Sequence, residues 1–200
     1  MASCFFFLLH YPHALMRVSA EIRNTFASRD EINLGAKLDC CSYLRACIDE
    51  TLRMVPGISN FLAREVAAGG TLVGDNYMPE GSIIGSSLYS LHRDVRYFPQ
   101  PDVFRPERWL EGDEEDIKAA RRAWNAFSTG PRACVGTKFA YGVISVTLAS
   151  TLFEYDMRLA PDAPCCGSKP VAEKCTDRDF GSFVGTTSGD VMAQFRKRAA

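Results

Sequence analysis

Ten residues, Phe127-Ser128-Thr129-Gly130-Pro131-Arg132-Ala133-Cys134-Val135-Gly136, constrain this chain more than any other stretch. A cysteine stands close to two glycines, an arginine precedes it by two positions, and a long apolar helical pattern follows. The start of a helix presents unsatisfied N–H groups and the positive end of the macrodipole, the setting a thiolate needs. At average residue usage, Phe127, Gly130, Arg132, Cys134 and Gly136 align by chance in on the order of one in ten thousand chains of this length. An isolated cysteine is usually a small buried hydrophobe, but this flanking spacing argues against that reading.

A second element lies upstream, in Y-L-R-A-C-I-D-E-T-L-R-M-V-P from Tyr43 to Pro56. Leu44, Cys47, Ile48, Leu52 and Val55 recur at helical spacing, and Pro56 closes the run. Glu50 and Arg53 fall three residues apart on one face. Alone, Glu-x-x-Arg arises about once by chance in such a chain and means a surface pair worth roughly 0.2–0.5 kcal/mol. Further along stand Arg64, within F-L-A-R-E-V, and the segment Pro106-Glu107-Arg108-Trp109.

The pattern Phe-x-x-Gly-x-Arg-x-Cys-x-Gly resembles the haem-ligand signature of the cytochrome P450 family, of the eukaryotic microsomal type, and the elements occur in that family's order. The likeness covers nearly the whole chain, from about Leu8 to Arg198. It implies a fold that is mainly α with small antiparallel β-sheets (α+β), the carboxy-terminal part of the family's architecture. By resemblance, Cys134 is the axial thiolate on haem iron, Phe127 packs beside the sulfur, and Gly130 and Gly136 let the backbone approach the porphyrin. Arg132 and Arg64 pair with haem propionates, and Glu50, Arg53 and Arg108 form a buried charged triad. The cofactor implied is haem b, iron protoporphyrin IX. The activity implied is insertion of one oxygen atom into a small apolar organic substrate, with electrons from an NADPH-dependent reductase, at the cytosolic face of the endoplasmic reticulum membrane.

The family's acid-alcohol pair, Ala/Gly-Gly-x-Asp/Glu-Thr-Thr, has no counterpart in these residues, so no catalytic residue is assigned. The opening Met1 to His10 resembles the last turns of the helix that carries it. The expectation is therefore a partial domain over residues 1–200, with the membrane anchor and distal helices preceding it. Two alternatives stay open: a truncated, non-catalytic remnant or haem-binding module, and a thiolate-haem relative that isomerises peroxides or dehydrates oximes without a reductase.

Lys+Arg 23 against Asp+Glu 24 gives a net charge of −1, with no basic excess to suggest nucleic acid. The Phe5–Leu9 run is too short to cross a bilayer and lacks a basic leader. None of the eight cysteines forms a Cys-x-x-Cys pair, and the neighbours Cys40-Cys41 and Cys165-Cys166 suit zinc poorly, so a reduced compartment fits. Cys4 and Cys47 read as core filler, His10 and His13 as turn residues around Pro12. His92 is within reach of a propionate or a backbone carbonyl.

Helical pattern fills residues 5–55, broken near Pro12 and around Ser28–Asn33. A small sheet and a proline-rich meander span 61–112, the cysteine loop 127–136, an apolar helix 138–155, and terminal strands 156–197, including a hairpin that pairs Phe180–Gly185 with Val191–Phe195 and carries Thr186 and Thr187 at its tip. Many relatives have Ala-x-x-Glu after the cysteine, where this chain has Ala140-Tyr141-Gly142-Val143. Glycine in a helix interior costs roughly 1 kcal/mol against alanine. Arg93, Arg96, Arg105, Lys118, Arg121, Arg122 and Lys138 make the meander and cysteine region locally basic, either as a reductase-facing surface or as ordinary solvated charge.

Overall fold

The computed structural model describes residues 1–58, 61–159 and 193–198. The chain opens with α1 (Ala2–His10) and turns at Tyr11 into α2 (Pro12–Thr25), where Pro12 occupies the first helical position. Its missing N–H would have been an orphan there in any case. A 3-10 turn at Arg29–Glu31 and a short α3 (Ala36–Asp39) lead into α4 (Ser42–Met54). Ala14, Val18 and Ile22 of α2, four residues apart, are fully buried, as helical periodicity requires. Helix α4 is the centre of the fold, with ten of its 13 residues buried, among them Leu44, Cys47 and Ile48.

Two long-range side chains close the helix ends that local sequence leaves open. No side chain of its own caps α4. Instead Glu21 of α2 accepts the N–H groups of Tyr43 (2.9 Å) and Leu44 (2.8 Å), placing a carboxylate at the positive dipole end. Helix α7 (Thr137–Glu154) ends under Arg23, whose guanidinium donates to the carbonyls of Leu152 and Tyr155 (both 3.0 Å) and to Asp156 Oδ1 (2.9 Å).

Between α4 and α7 lie β1 (Arg64–Glu65), β2 (Thr71–Val73), β3 (Asn76–Met78), β4 (Ile83–Ile84), α5 (Leu88–Leu91), a 3-10 turn at Pro106–Trp109, and α6 (Glu114–Ala123). Strand pairing is antiparallel throughout the described residues: β1 with β4, β2 with β3, and β5 (Tyr155–Leu159) with β6 (Ala193–Lys197). The architecture is α+β, mainly helical, as the sequence predicts. The expected partner strand Phe180–Gly185, the tip at Thr186 and Thr187, and Cys165-Cys166 lie outside the described residues.

The core is built from α1, α2, α4 and α7, and the meander enters it through Phe104, stacked on Phe7 at 4.9 Å. Cys4 and Cys47 are buried within it, and burial pushes both thiols above their ordinary range. Helix α7 is apolar on all sides, yet Phe139 is 78% exposed and Val143 40%, and Val135 just before the helix is fully exposed. A helix of that kind is ordinarily covered on every face.

Gly142 answers to a neighbour. A Cβ built there would stand 3.0 Å from Leu34 Cδ2, so the glycine lets Leu34 lie against α7. Leu34 is 72% exposed and free to swing away, so relief of the contact is cheap. Gly142→Ala is therefore expected to stabilise the protein by about 0.5–1 kcal/mol, read as a rise in the denaturation midpoint. A fall in that midpoint would show that the Leu34 contact outweighs helix propensity.

Candidate functional site

Glu50 and Arg53 are fully buried and Arg108 is 5% exposed, and the three meet below the meander. Arg53 Nε and Nη2 donate to the two Glu50 carboxylate oxygens (both 3.0 Å), and Arg108 Nε donates to Oε1 (2.9 Å). The same carboxylate also accepts the indole N–H of Trp109 (3.0 Å) and the backbone N–H of Arg105 (3.0 Å). Of the remaining guanidinium protons, one from Arg53 goes to the His92 carbonyl (2.7 Å) and the others go to meander carbonyls. Arg53 reaches Pro101 (2.7 Å), and Arg108 reaches Pro99 (2.9 Å), Gln100 and Val103 (both 3.2 Å). Irregular backbone with few ladder bonds of its own is thus held from below by two charged forks. Burial lowers the Arg108 guanidinium from its ordinary value, the Glu50 charge opposing.

His92, just after α5, is fully buried beside the triad. Its ring lies between the Arg53 carbonyl (Nδ1, 3.1 Å) and the backbone N–H of Asn125 (Nε2, 3.1 Å). A backbone N–H can only donate, so Nε2 is the bare nitrogen and Nδ1 carries the proton. Next in sequence, Arg93 donates to the Met54 carbonyl (3.1 Å), so consecutive residues satisfy two orphan carbonyls at the α4 terminus. Of the two readings left open for His92, backbone-carbonyl bonding is the one seen. Burial, with help from the Arg53 and Arg93 charges, depresses the imidazole to about 4.

The unfolded chain takes up this proton near its ordinary value, so stability present above about pH 6.5 drains away as pH falls toward 4. About 2 kcal/mol is expected to be lost between about pH 7 and about pH 5. Asp49, raised by burial, works in the opposite sense above its own ordinary range. Denaturant midpoints of wild type and His92→Asn at the two pH values isolate the effect, because the variant should lose clearly less. An equal loss in both would acquit His92.

Helix α7 is tied to α4 from the other side. Tyr141 O–H donates to the buried Asp49 Oδ1 (2.5 Å), Arg45 Nε donates to the same oxygen (3.1 Å), and the Arg45 guanidinium stands 3.4 Å above the Tyr141 ring. Trp124 Nε1–H bonds the Asp49 carbonyl (3.0 Å). Neither Asp49 nor Tyr141 stood out in the sequence. The available signal was a charged residue next to Glu50 on α4, with an aromatic hydroxyl one turn into an apolar helix.

The cysteine loop hangs from these anchors. Trp124 is pinned to α4 and Asn125 to His92, Phe127 packs on Trp124 (6.0 Å) and Tyr141 (5.3 Å), and the Phe127 carbonyl accepts the Cys134 N–H (2.8 Å). Two residues in the loop have left-handed backbone, Ser128 at φ 62° and Gly130 at φ 70°. The first is uncommon for a residue with a Cβ and marks stored strain, while the second explains glycine at 130 directly. Gly136 is different. Its backbone, φ −81° and ψ 3°, suits any residue, and an added Cβ would meet only the Cys134 sulfur at 3.7 Å. The thiol therefore lies over the N-cap of α7, a helix that no side chain caps. Cys134 is exposed, and its carbonyl accepts the Thr137 hydroxyl (2.7 Å).

Beside this loop runs a groove of about 480 Å³, lined by Arg64, Leu62, Val73, Ile84 and Leu91 on one side and Asn125, Ser128 and Thr129 on the other. The structure thus brings Arg64 and the start of the cysteine loop to one cleft, while Arg132 is exposed on the 3-10 turn Gly130–Arg132. Cys134 and Val135 are exposed further along the loop and do not line the groove, whose largely apolar walls and Arg64 guanidinium suit an apolar group with anionic edges. Several of the basic residues nearby have partners. Arg93 pairs with Asp102, Arg96 with Asp94, Lys118 with Glu114 and Glu115, and Arg121 bonds the Trp109 carbonyl.

Comparison with known proteins follows the same line. The family model for cytochrome P450 matches residues 1–169. The chain is 42% identical over 160 residues to cytochrome P450 monooxygenase apf8 of Gibberella fujikuroi, covering 78% of this chain and 43% of that one. It is 41% identical over 166 residues to cytochrome P450 monooxygenase AKT7 of Alternaria alternata, covering 80% and 32%, and 38% identical over 206 residues to apf7 of Gibberella fujikuroi, covering 99% and 38%. The chain spans less than half the length of these relatives. With the matched segment running from the first helix through the cysteine loop, the chain belongs to the cytochrome P450 family.

Proposed function

We propose that this chain is the haem-ligating portion of a monooxygenase, in which Cys134 would hold the iron of haem b through its thiolate. The observation that carries the reading is the exposed Cys134 thiol, lying over the start of α7 and held by a loop joined through His92 to the helix of the buried triad. Bound haem supplies oxygen activation, because a thiolate ligand pushes electron density onto the iron and favours O–O cleavage. The chain's own residues then have separable tasks. Cys134 donates sulfur, and the amide ends of α7 favour its anionic form. Arg64, in the groove, and Arg132 offer guanidinium forks to propionates. Phe127 fills the space between loop and α7, Gly130 turns the loop, and Gly136 leaves the sulfur's flank open. Glu50, Arg53 and Arg108 keep the supporting meander in place.

Family membership supports the further reading that the whole protein takes electrons from an NADPH-dependent reductase, acts on a small apolar organic substrate, and resides on the cytosolic face of the endoplasmic reticulum through an amino-terminal membrane anchor. No residue here is assigned to proton delivery. Among the described residues no helix is long and apolar enough to cross a membrane.

The test is the carbon-monoxide difference spectrum of the reduced protein expressed with haem. A thiolate-type Soret band is expected. A folded, haem-containing sample lacking it rejects the assignment of Cys134. Turnover of an organic substrate by the isolated chain with reductase and NADPH would exclude the non-catalytic alternative.

A further inference from the structure

Between the triad helix and the cysteine loop there is a single buried imidazole, and its contacts run in both directions. His92 Nδ1–H bonds the Arg53 carbonyl, Arg53 Nη1 bonds the His92 carbonyl (2.7 Å), and the bare Nε2 takes the Asn125 N–H. Asn125 lies two residues before Phe127, whose carbonyl holds the Cys134 N–H, and its own carbonyl closes the turn to Ser128 N–H (2.8 Å), the residue with left-handed backbone. Loops carry many conformations unless tied at their ends, and this one is strained as well as exposed.

We propose that His92 is a positioning residue for the Cys134 thiol: in its neutral Nδ1–H form it latches the start of the cysteine loop to the triad helix, and protonation of Nε2 releases the latch. A proton on Nε2 would face the Asn125 N–H, donor against donor, and the loop's first backbone bond would be lost. The groups facing the ring are Arg53 and Glu50 from α4 and Arg93 beside it in the chain. On the loop side the contact is the neutral Asn125 amide, and the meander contributes the uncharged Phe98 ring at 6.1 Å. The two guanidiniums and the burial both oppose a second proton on the ring, which keeps the latch closed at neutral pH. Only the thiolate consequence rests on the haem reading above, since the latch itself is a property of the protein.

The experiment uses the full chain expressed with haem, as wild type, His92→Phe and His92→Gln. Amide hydrogen exchange is followed in a peptide spanning Ala123 to Phe127 and in a reference peptide spanning Val18 to Ile22 of α2. In His92→Phe the loop peptide is expected to exchange at least about tenfold faster relative to the reference peptide than in wild type, and the thiolate-type band to shrink against that of haem without thiolate. His92→Gln, whose side-chain carbonyl can accept the Asn125 N–H, should restore both. In wild type the loop-to-reference exchange ratio should climb as pH falls through about 4, and in the glutamine variant it should not. Equal acceleration of both peptides would reduce His92 to a stability element, and an unchanged loop peptide would remove the latch altogether. A wild type with no thiolate-type band would defeat the haem reading, and the exchange ratio alone would then decide the latch.

Discussion

Glu50→Ala is expected to cost about 3–5 kcal/mol, much of the 5–15 kcal/mol that holds an ordinary domain together. The carboxylate is the one anion between two buried guanidiniums, so its loss leaves Arg53 and Arg108 facing each other without compensation. It also strands the buried Trp109 indole N–H and the part-buried Arg105 amide. The cost should appear as a collapse of the cooperative unfolding transition in urea, or as insolubility. Glu50→Gln keeps an acceptor but not the charge and should fall in between. Arg17→Ala is the matched control, since its pairs with Glu107 (3.4 Å) and Glu111 (2.8 Å) are exposed and worth at most about 1 kcal/mol. A Glu50→Ala midpoint as close to wild type as that of the control would overturn the account of the triad as the scaffold's anchor.

Cys134→Ser carries the opposite signature. The thiol is exposed and its side chain makes no bond that the fold depends upon, so stability should stay within about 0.5 kcal/mol. The thiolate-type band, in contrast, should disappear, because a serine hydroxyl stays protonated near neutral pH and lacks soft sulfur. Cys47→Ser inverts the pattern. That position is buried in the core against α1, where an unbonded hydroxyl costs on the order of 1–3 kcal/mol while the spectrum keeps its shape. The crossed outcomes separate ligation from folding. Retention of the band in Cys134→Ser would mean that another residue binds the iron.

The helices were readable because their causes are local. Pro12 at the first position of α2 and the four-residue spacing of Ala14, Val18 and Ile22 act within one or two turns. Glu50 and Arg53 could be placed on one face for the same reason, but their meaning could not, since three-residue spacing serves a solvated surface pair equally well. What lifted them was the likeness of three separated segments to one family. The latch at His92, the Asp49–Tyr141 bond and the caps from Glu21 and Arg23 had no such signal. Each joins residues far apart in the chain, 39 for His92 with Arg53, 92 for Tyr141 with Asp49, 22 for Tyr43 with Glu21 and 129 for Arg23 with Leu152. Gly142 shows the same limit. Read along the helix it is a weakness, and only the approach of Leu34 gives it a structural neighbour.

Residue order alone settled the kind of elements present, the run of the apolar faces and the identity of the thiol set before the last long helix, because periodicity, proline geometry and motif spacing operate over a few residues. Folding in three dimensions decided that Glu50 would be buried with five donors, that His92 would carry its proton on Nδ1, and that the Cys134 sulfur would lie over the α7 N-cap. Those outcomes depend on which distant backbone groups are left without water, and a buried N–H or carbonyl must find its partner wherever the packing brings one.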